Sequence, residues 1–226
     1  MPHADPFLQD ESRTDASSAE SGAEAPAGGV RPLSPAQLSR WLEEHQEAIA
    51  HRWFVEVRAR GEGVDGPVAQ VMEEFLELLV GFLPLGVGPL RDQVEPIYQQ
   101  AAELYGNLGA LRGLAAGESV EEVQLLREVL LRFLYRQPPS GGSAGPAAMG
   151  LREFLRLNRM VDLCVTQASV GHTDTLFFNL LHESGVTGAG TERALEGTRS
   201  QIAAFREELE RLSAILDPEG HGLAAN

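Results

Sequence analysis

Histidine and cysteine, the side chains that most often serve as transition-metal ligands and nucleophiles, are few in this chain of 226 residues: six and one. The histidines are His3, His45, His51, His172, His182 and His221, and none forms H-x-H, H-E-x-x-H or E-x-x-H. A di-iron helical bundle needs E-x-x-H on two helices to aim its ligands inward. Here Glu47 and His51 stand at i, i+4, a spacing that makes a surface contact more often than a metal site. Cys164 sits in an apolar stretch and reads as core. With a single cysteine, no intramolecular disulfide can form. No G-x-S-x-G elbow is present.

Gly61-Glu62-Gly63-Val64-Asp65-Gly66 fits G-x-G-x-x-G. A dinucleotide site places that run between a strand and a helix, with backbone amides facing pyrophosphate. This run follows a helical pattern and carries two carboxylates, so a helix–helix turn is the better account. His182-Glu183 is similar to the phosphoacceptor pair of histidine kinases, but Gly185 follows almost at once. A histidine that complements the dipole at a helix end explains it more simply.

The 18 basic residues are all arginine, against 33 acidic ones, for a net charge of −15. Chemistry that needs a lysine amine is therefore excluded: P-loop binding, Schiff bases and Ser-x-x-Lys acylation. The acidic balance argues against nucleic acid and anionic membrane surfaces as partners. The N-terminus has no basic start and no apolar stretch, and no run approaches the ~20 apolar residues of a spanning helix. A cytoplasmic protein without a cofactor or metal is expected.

The elements that must position these groups are helical throughout. Residues 1–33 are poor in large apolar side chains and are expected to form a disordered acidic tail. Ser34-Pro35-Ala36-Gln37 supplies a cap, a first-turn proline and a glutamine at the third position. Leu38, Trp41, Leu42, His45, Ile49, Trp53 and Val57 follow at helical spacing. A second helix is expected to carry Val68 to Phe82 and end at Pro84 and Gly86. A third spans Leu90 to Leu108 and either begins or kinks at Pro96. Ser119-Val120-Glu121-Glu122 reads as a capping box opening a fourth. Residues 137–148 are rich in glycine and proline, a linker or long loop. A fifth helix runs from about Met149 to Ala168, with 173–184 either a shorter helix or its continuation across Gly171. Gly185, Gly188 and Gly190 should break the chain again. No segment alternates as a half-buried strand does, so the fold is all-α: a helical bundle over 34–185, with a separate heptad helix over 191–216.

That last helix has the most regular pattern. Leu195, Ile202, Leu209 and Leu216 are seven apart, with Thr198, Phe205 and Leu212 at the matching offset. A period of 3.5 is the mark of a coiled-coil seam. The stripe is either the seam of a homodimer or the face that packs on the protein's own bundle. On the fifth helix, Asn158 and Asp162 stand at i, i+4 among apolar neighbours. They are either a buried polar pair that fixes helix register or part of an exposed face.

Three runs carry a likeness to a known family. They are Leu38-Ser39-Arg40-Trp41-Leu42-Glu43-Glu44-His45-Gln46-Glu47-Ala48-Ile49 leading into Arg52-Trp53, Gly117-Glu118-Ser119-Val120-Glu121-Glu122-Val123 before Leu130-Leu131-Arg132-Phe133, and Leu155-Arg156-Leu157-Asn158-Arg159-Met160-Val161-Asp162. In that order they resemble the N-terminal helical domain of stressosome RsbT co-antagonist proteins of the RsbR type and of many bacterial sensor histidine kinases. The resemblance covers residues ~36–170. It implies a helical sensory or protein-interaction domain that feeds an output through a helix. The Asn and Asp of the relatives' Leu-Asn-Arg-x-x-Asp run fall on Asn158 and Asp162, with no catalytic role implied. This chain departs from the family in that neither a kinase catalytic segment nor an anti-sigma-antagonist segment follows the heptad helix. The output is expected on a partner protein, or only the sensory part is kept.

The expected function is that of a non-catalytic signalling or adaptor module, not an enzyme. It would bind a protein partner or ligand in the bundle and relay it through a coiled-coil homodimer. The alternative is a haem or small-ligand sensor with a globin-like fold, for which His45 on the apolar stripe is the candidate proximal ligand.

Overall fold

The computed structural model describes residues 31–60, 64–139, 147–181 and 188–216. The acidic tail expected over 1–33 lies outside the described residues up to 30. Among the described residues there are six helices: α1 (Pro35–Arg60), α2 (Gly66–Val87), α3 (Arg91–Leu111), α4 (Ala116–Arg136), α5 (Leu151–Leu181) and α6 (Gly188–Leu216). The fold is the expected all-α bundle. Among the described residues, the one extended feature is a two-residue parallel ladder, β1 (Arg31–Pro32) on β2 (Ala147–Ala148), which ties the entry of α1 to that of α5. No described helix is long and apolar enough to cross a membrane.

The N-terminus of α1 follows the sequence closely. The Ser34 amide donates to Gln37 Oε1 at 2.9 Å, and the Gln37 amide donates back to Ser34 Oγ at 3.2 Å. This is a reciprocal capping box. Leu33, just before it, is buried and belongs to the core, so order begins earlier than residue 34. The apolar stripe of α1 faces inward as its spacing requires, with Trp53 fully buried.

Several helix boundaries differ from the sequence expectation, each for a local reason. α2 runs through Pro84 to Val87. The Pro84 carbonyl is satisfied from outside the helix, by Ser39 Oγ of α1 at 2.9 Å, and Gly88 closes the end on the Leu85 carbonyl. α3 does not begin at Pro96 but starts at Arg91 and carries that proline inside it. α4 opens three residues before Ser119, where Glu118 Oε2 accepts the Ala115 amide at 2.7 Å. Glu118 is thus the capping carboxylate, and Ser119 and Glu122 lie inside the buried face. α5 is continuous across Gly171. Gly188 and Gly190 lie within the first turn of α6 rather than breaking the chain, while Gly185 and residues 182–184 are outside the described residues.

Gly171 explains the continuity of α5. A Cβ there would collide with the Glu103 carbonyl of α3, and one at Gly106 of α3 would collide with the Ala168 carbonyl of α5. The two glycines let α3 and α5 run side by side at backbone contact. α3 and α5 are parallel, with Arg159 beside Glu95 (3.4 Å) and Thr175 donating to Asn107 (3.0 Å) at successive levels. α4 is antiparallel to both. One apolar core fills the space between the helices, around Trp53, Phe75, Phe82, Tyr98 and Tyr105. Their rings meet in tilted and edge contacts with centroids 5.8–6.0 Å apart.

Candidate functional site

A buried charged cluster lies where α3 turns into α4. Gly113, at φ 80°, makes that turn in a conformation that favours glycine. The turn brings Arg112 over Glu122, one helix on. Both terminal nitrogens of Arg112 donate to the Glu122 carboxylate, each at 2.8 Å, and the two side chains are only 3% and 8% exposed. Tyr105 Oη donates to Glu122 Oε2 at 2.7 Å, and Trp53 Nε1 donates to the Glu122 carbonyl at 2.7 Å. Burial opposes the charge on Arg112, but the hydrogen bonds and charge of Glu122 outweigh it and raise its pKa. Burial, then the neighbouring carboxylate, push the Tyr105 phenol well above its ordinary value, so it stays a donor.

This cluster floors an open pocket of about 460 Å³, rimmed by Arg60, Glu118 and Glu121. Its inner charges are spent on one another, and Glu118 is held by its cap. A matched, bidentate pair of this kind fixes the α3–α4 corner, and it leaves Arg112 Nε buried without a partner. Sequence reasoning missed it. The available signal was Glu122 falling on the buried stripe of Ser119, Val123 and Leu126.

His45 is half-buried on α1 and stacks on Trp41, with ring centroids 4.7 Å apart. Its Nδ1 lies 2.8 Å from the Trp41 carbonyl, and its Nε2 lies 2.8 Å from Gln137 Oε1. Trp41 Nε1 also donates to the Gln137 carbonyl at 2.8 Å. An iron at His45 would have to displace one of these bonds, so the ring serves to pin the end of α4 to α1. His172 is fully buried with Nε2 at 2.8 Å from the Leu114 carbonyl. Cys164 is fully buried beside Tyr98, and burial pushes its thiol up to about 12. Among the described residues, no group of three or more His, Cys, Asp or Glu side chains could hold a metal ion.

Asn158 and Asp162 do not serve each other. Asn158 Nδ2 donates to the Phe154 carbonyl of its own helix at 2.9 Å. Asp162 is exposed and pairs with Arg127 of α4. Of the two, only Asp162 ties two helices together.

The heptad stripe of α6 is occupied within the chain. Thr198, Ile202 and Leu212 are buried, Leu195, Phe205 and Leu209 pack partly buried on the core, and Leu216 is 39% exposed. The stripe lies on α2 and α3. Leu209 presses on Gly81 of α2, where an added Cβ would come within 3.0 Å of Leu209 Cδ2. Beside this contact is a cleft of about 490 Å³ between α1, α2 and the last turns of α6, bordered by Glu43, Gln46, Pro84, Arg206 and Ser213.

The way α6 is held differs from the rest of the bundle. Polar ties join α1 to α2 (Ser39 to Pro84), α1 to α4 (Trp53 to Glu122), α3 to α5 (Thr175 to Asn107) and α4 to α5 (Arg127 to Asp162). Among the described residues, the side-chain bonds of α6 stay inside α6: Thr198 to the Ala194 carbonyl at 3.0 Å, Arg199 with Glu196 at 3.9 Å and Arg211 with Glu208 at 2.7 Å. Among the described residues, apolar contact alone docks it.

Comparison with protein families, curated proteins and solved structures gives no match to this chain.

Proposed function

We propose that this chain is a non-catalytic module of bacterial signal transduction, in which α1–α5 form the receiving body and α6 is the relay. The observation that carries this reading is the docking of α6 by a period-3.5 apolar stripe with no polar tie to the bundle among the described residues. Apolar contact is non-directional, so nothing fixes the register of such a helix as hydrogen bonds would. The same stripe serves a second helix equally well, from a protein partner or from another copy of the chain. A partner that competes for the stripe, or a ligand in the cleft beside Gly81 and Leu209, biases α6 between docked and released states. A homodimer through Leu195, Ile202, Phe205, Leu209 and Leu212 requires the released state. The likeness of residues ~36–170 to the RsbR-type sensory domain supports the same division into receiver and output helix.

Native-state hydrogen exchange tests this reading. Amides of α6 should exchange through an opening of lower free energy than those of α1–α4, and Gly81→Val should lower it further by crowding Leu209. If α6 amides exchange only with global unfolding in both proteins, α6 is a core helix and the relay is abandoned.

A further inference from the structure

The end of α5 has its amphipathicity reversed. Gly171 and His172 are buried, Thr175 bonds to Asn107 of α3, and Asn179 is half-buried on the same side. The side facing the bundle is therefore small or polar. The outward side carries Val170 (42% exposed), Leu176 (43%), Phe177 (64%), Leu180 (78%) and Leu181 (70%). At about 100° per residue, these five positions fall on one arc of roughly 140°. Val170, Thr173, Phe177 and Leu180 repeat at 3, 4 and 3, the spacing of a helix–helix seam.

We propose that this arc is the interface at which two copies of the chain pair, α5 against α5 about a twofold axis. Three observations point to a second copy. First, the arc offers on the order of 500 Å² of apolar surface, near the upper limit that a monomer leaves uncovered. It fits as the apolar centre of an interface that needs about 800 Å² per partner. Second, the chain carries a net charge of −15, and two copies repel wherever charged faces meet. Between Thr175 and Leu181 there is no ionisable side chain, and the exposed Asp174 stands at the edge of the arc, so two like-charged molecules approach best over Phe177 and Leu180. Third, one helix crossing its own copy is isologous, and residues near the axis meet their equivalents, which suits a short stripe of leucine and phenylalanine. This interface leaves the α6 stripe docked on its own bundle, so it stands apart from the relay reading.

The test is the molar mass of the full chain by light scattering after gel filtration and by sedimentation equilibrium. Wild type is compared with Phe177→Glu/Leu181→Glu and with Gly81→Val. The expected result is a wild-type dimer whose dissociation constant rises at least about a hundredfold in the double variant. The far-UV circular dichroism and Tm of that variant should stay near wild type, because both residues are exposed. Gly81→Val should remain dimeric. A monomeric wild type overturns the proposal, and the arc then awaits a different partner. A dimer that survives Phe177→Glu/Leu181→Glu also overturns it, and places the interface elsewhere. Neither outcome bears on whether α6 opens separately, which hydrogen exchange reads.

Discussion

Arg112 and Glu122 meet through two parallel hydrogen bonds of 2.8 Å each, almost sealed from solvent at the corner of α3 and α4. Removing one partner leaves the other charge buried and unpaired. Arg112→Met and Glu122→Leu should each cost about 3–5 kcal/mol. The double variant Arg112→Met/Glu122→Leu should cost less than the sum of its two single changes, because neither charge is then stranded. Chemical denaturation of the four proteins measures the coupling directly. Tyr105→Phe removes only one donor from a carboxylate that keeps its arginine, so its cost should be about 1–2 kcal/mol.

Glycines at the α3–α5 contact should be far less replaceable than glycine elsewhere in a helix. A methyl at Gly106 or Gly171 meets a backbone carbonyl of the facing helix, which cannot move aside as a flexible side chain would. Either alanine variant should lose more than about 2 kcal/mol. Gly197 of α6 has open space around its Cβ position. There alanine should stabilise by about 0.5–1 kcal/mol, through helix propensity alone. Equal effects at the three positions, read from thermal melts, would contradict the close packing of α3 on α5.

These contrasts also show what could be read from the chain in advance. The capping box at Ser34–Gln37 and the stripe of α1 were legible because both are set by residues within a few positions of each other. The continuity of α5 across Gly171 was left open because the reason for that glycine is the Glu103 carbonyl, 68 positions away. The start of α4 is ambiguous in the sequence because Glu118 and Glu122 each stand three residues after a possible cap, Ala115 and Ser119, and burial of Ser119 and Glu122 decides between them. The heptad of α6 was plain, but period alone does not say whether a seam faces another chain or, as here, α2 and α3. Nothing in the local spacing of Asn158 and Asp162 shows that one turns back on its own helix while the other reaches Arg127.

The α1 cap should report as a local, modest effect. Ser34→Ala removes the acceptor of the Gln37 amide and should cost about 1 kcal/mol. Gln37→Ala removes the reciprocal acceptor of the exposed Ser34 amide, which water can replace, and should cost less. Differences in urea midpoint at unchanged m-value would measure both.

Alkaline pH should unfold the protein through three buried groups. Burial raises Cys164 from its ordinary 9.0 to about 12, and raises Tyr98 and Tyr105 well above their ordinary 10.0. Each is an acid whose neutral form the folded state favours. Below pH 9 folded and unfolded chains hold these protons alike, and the stability is complete. Above pH 9 the unfolded chain releases the Cys164 proton first and the tyrosine protons near 10, while the folded chain keeps all three. The unfolded state then binds fewer protons, so stability falls steadily from pH 9 towards 12. Cys164→Ala should shift the onset of that fall upward, towards the phenol range near pH 10, although it costs stability at neutral pH by leaving a cavity. Denaturant titrations at pH 7, 9, 10 and 11 separate the two effects, since the cavity cost is constant and the proton cost is not. The same burial should make native Cys164 inert to thiol reagents at pH 8, with labelling only as fast as the core opens. Rapid labelling of the native protein would mean that the wall of α3 and α5 over Cys164 opens independently of global unfolding, and the alkaline fall would then begin with that local opening.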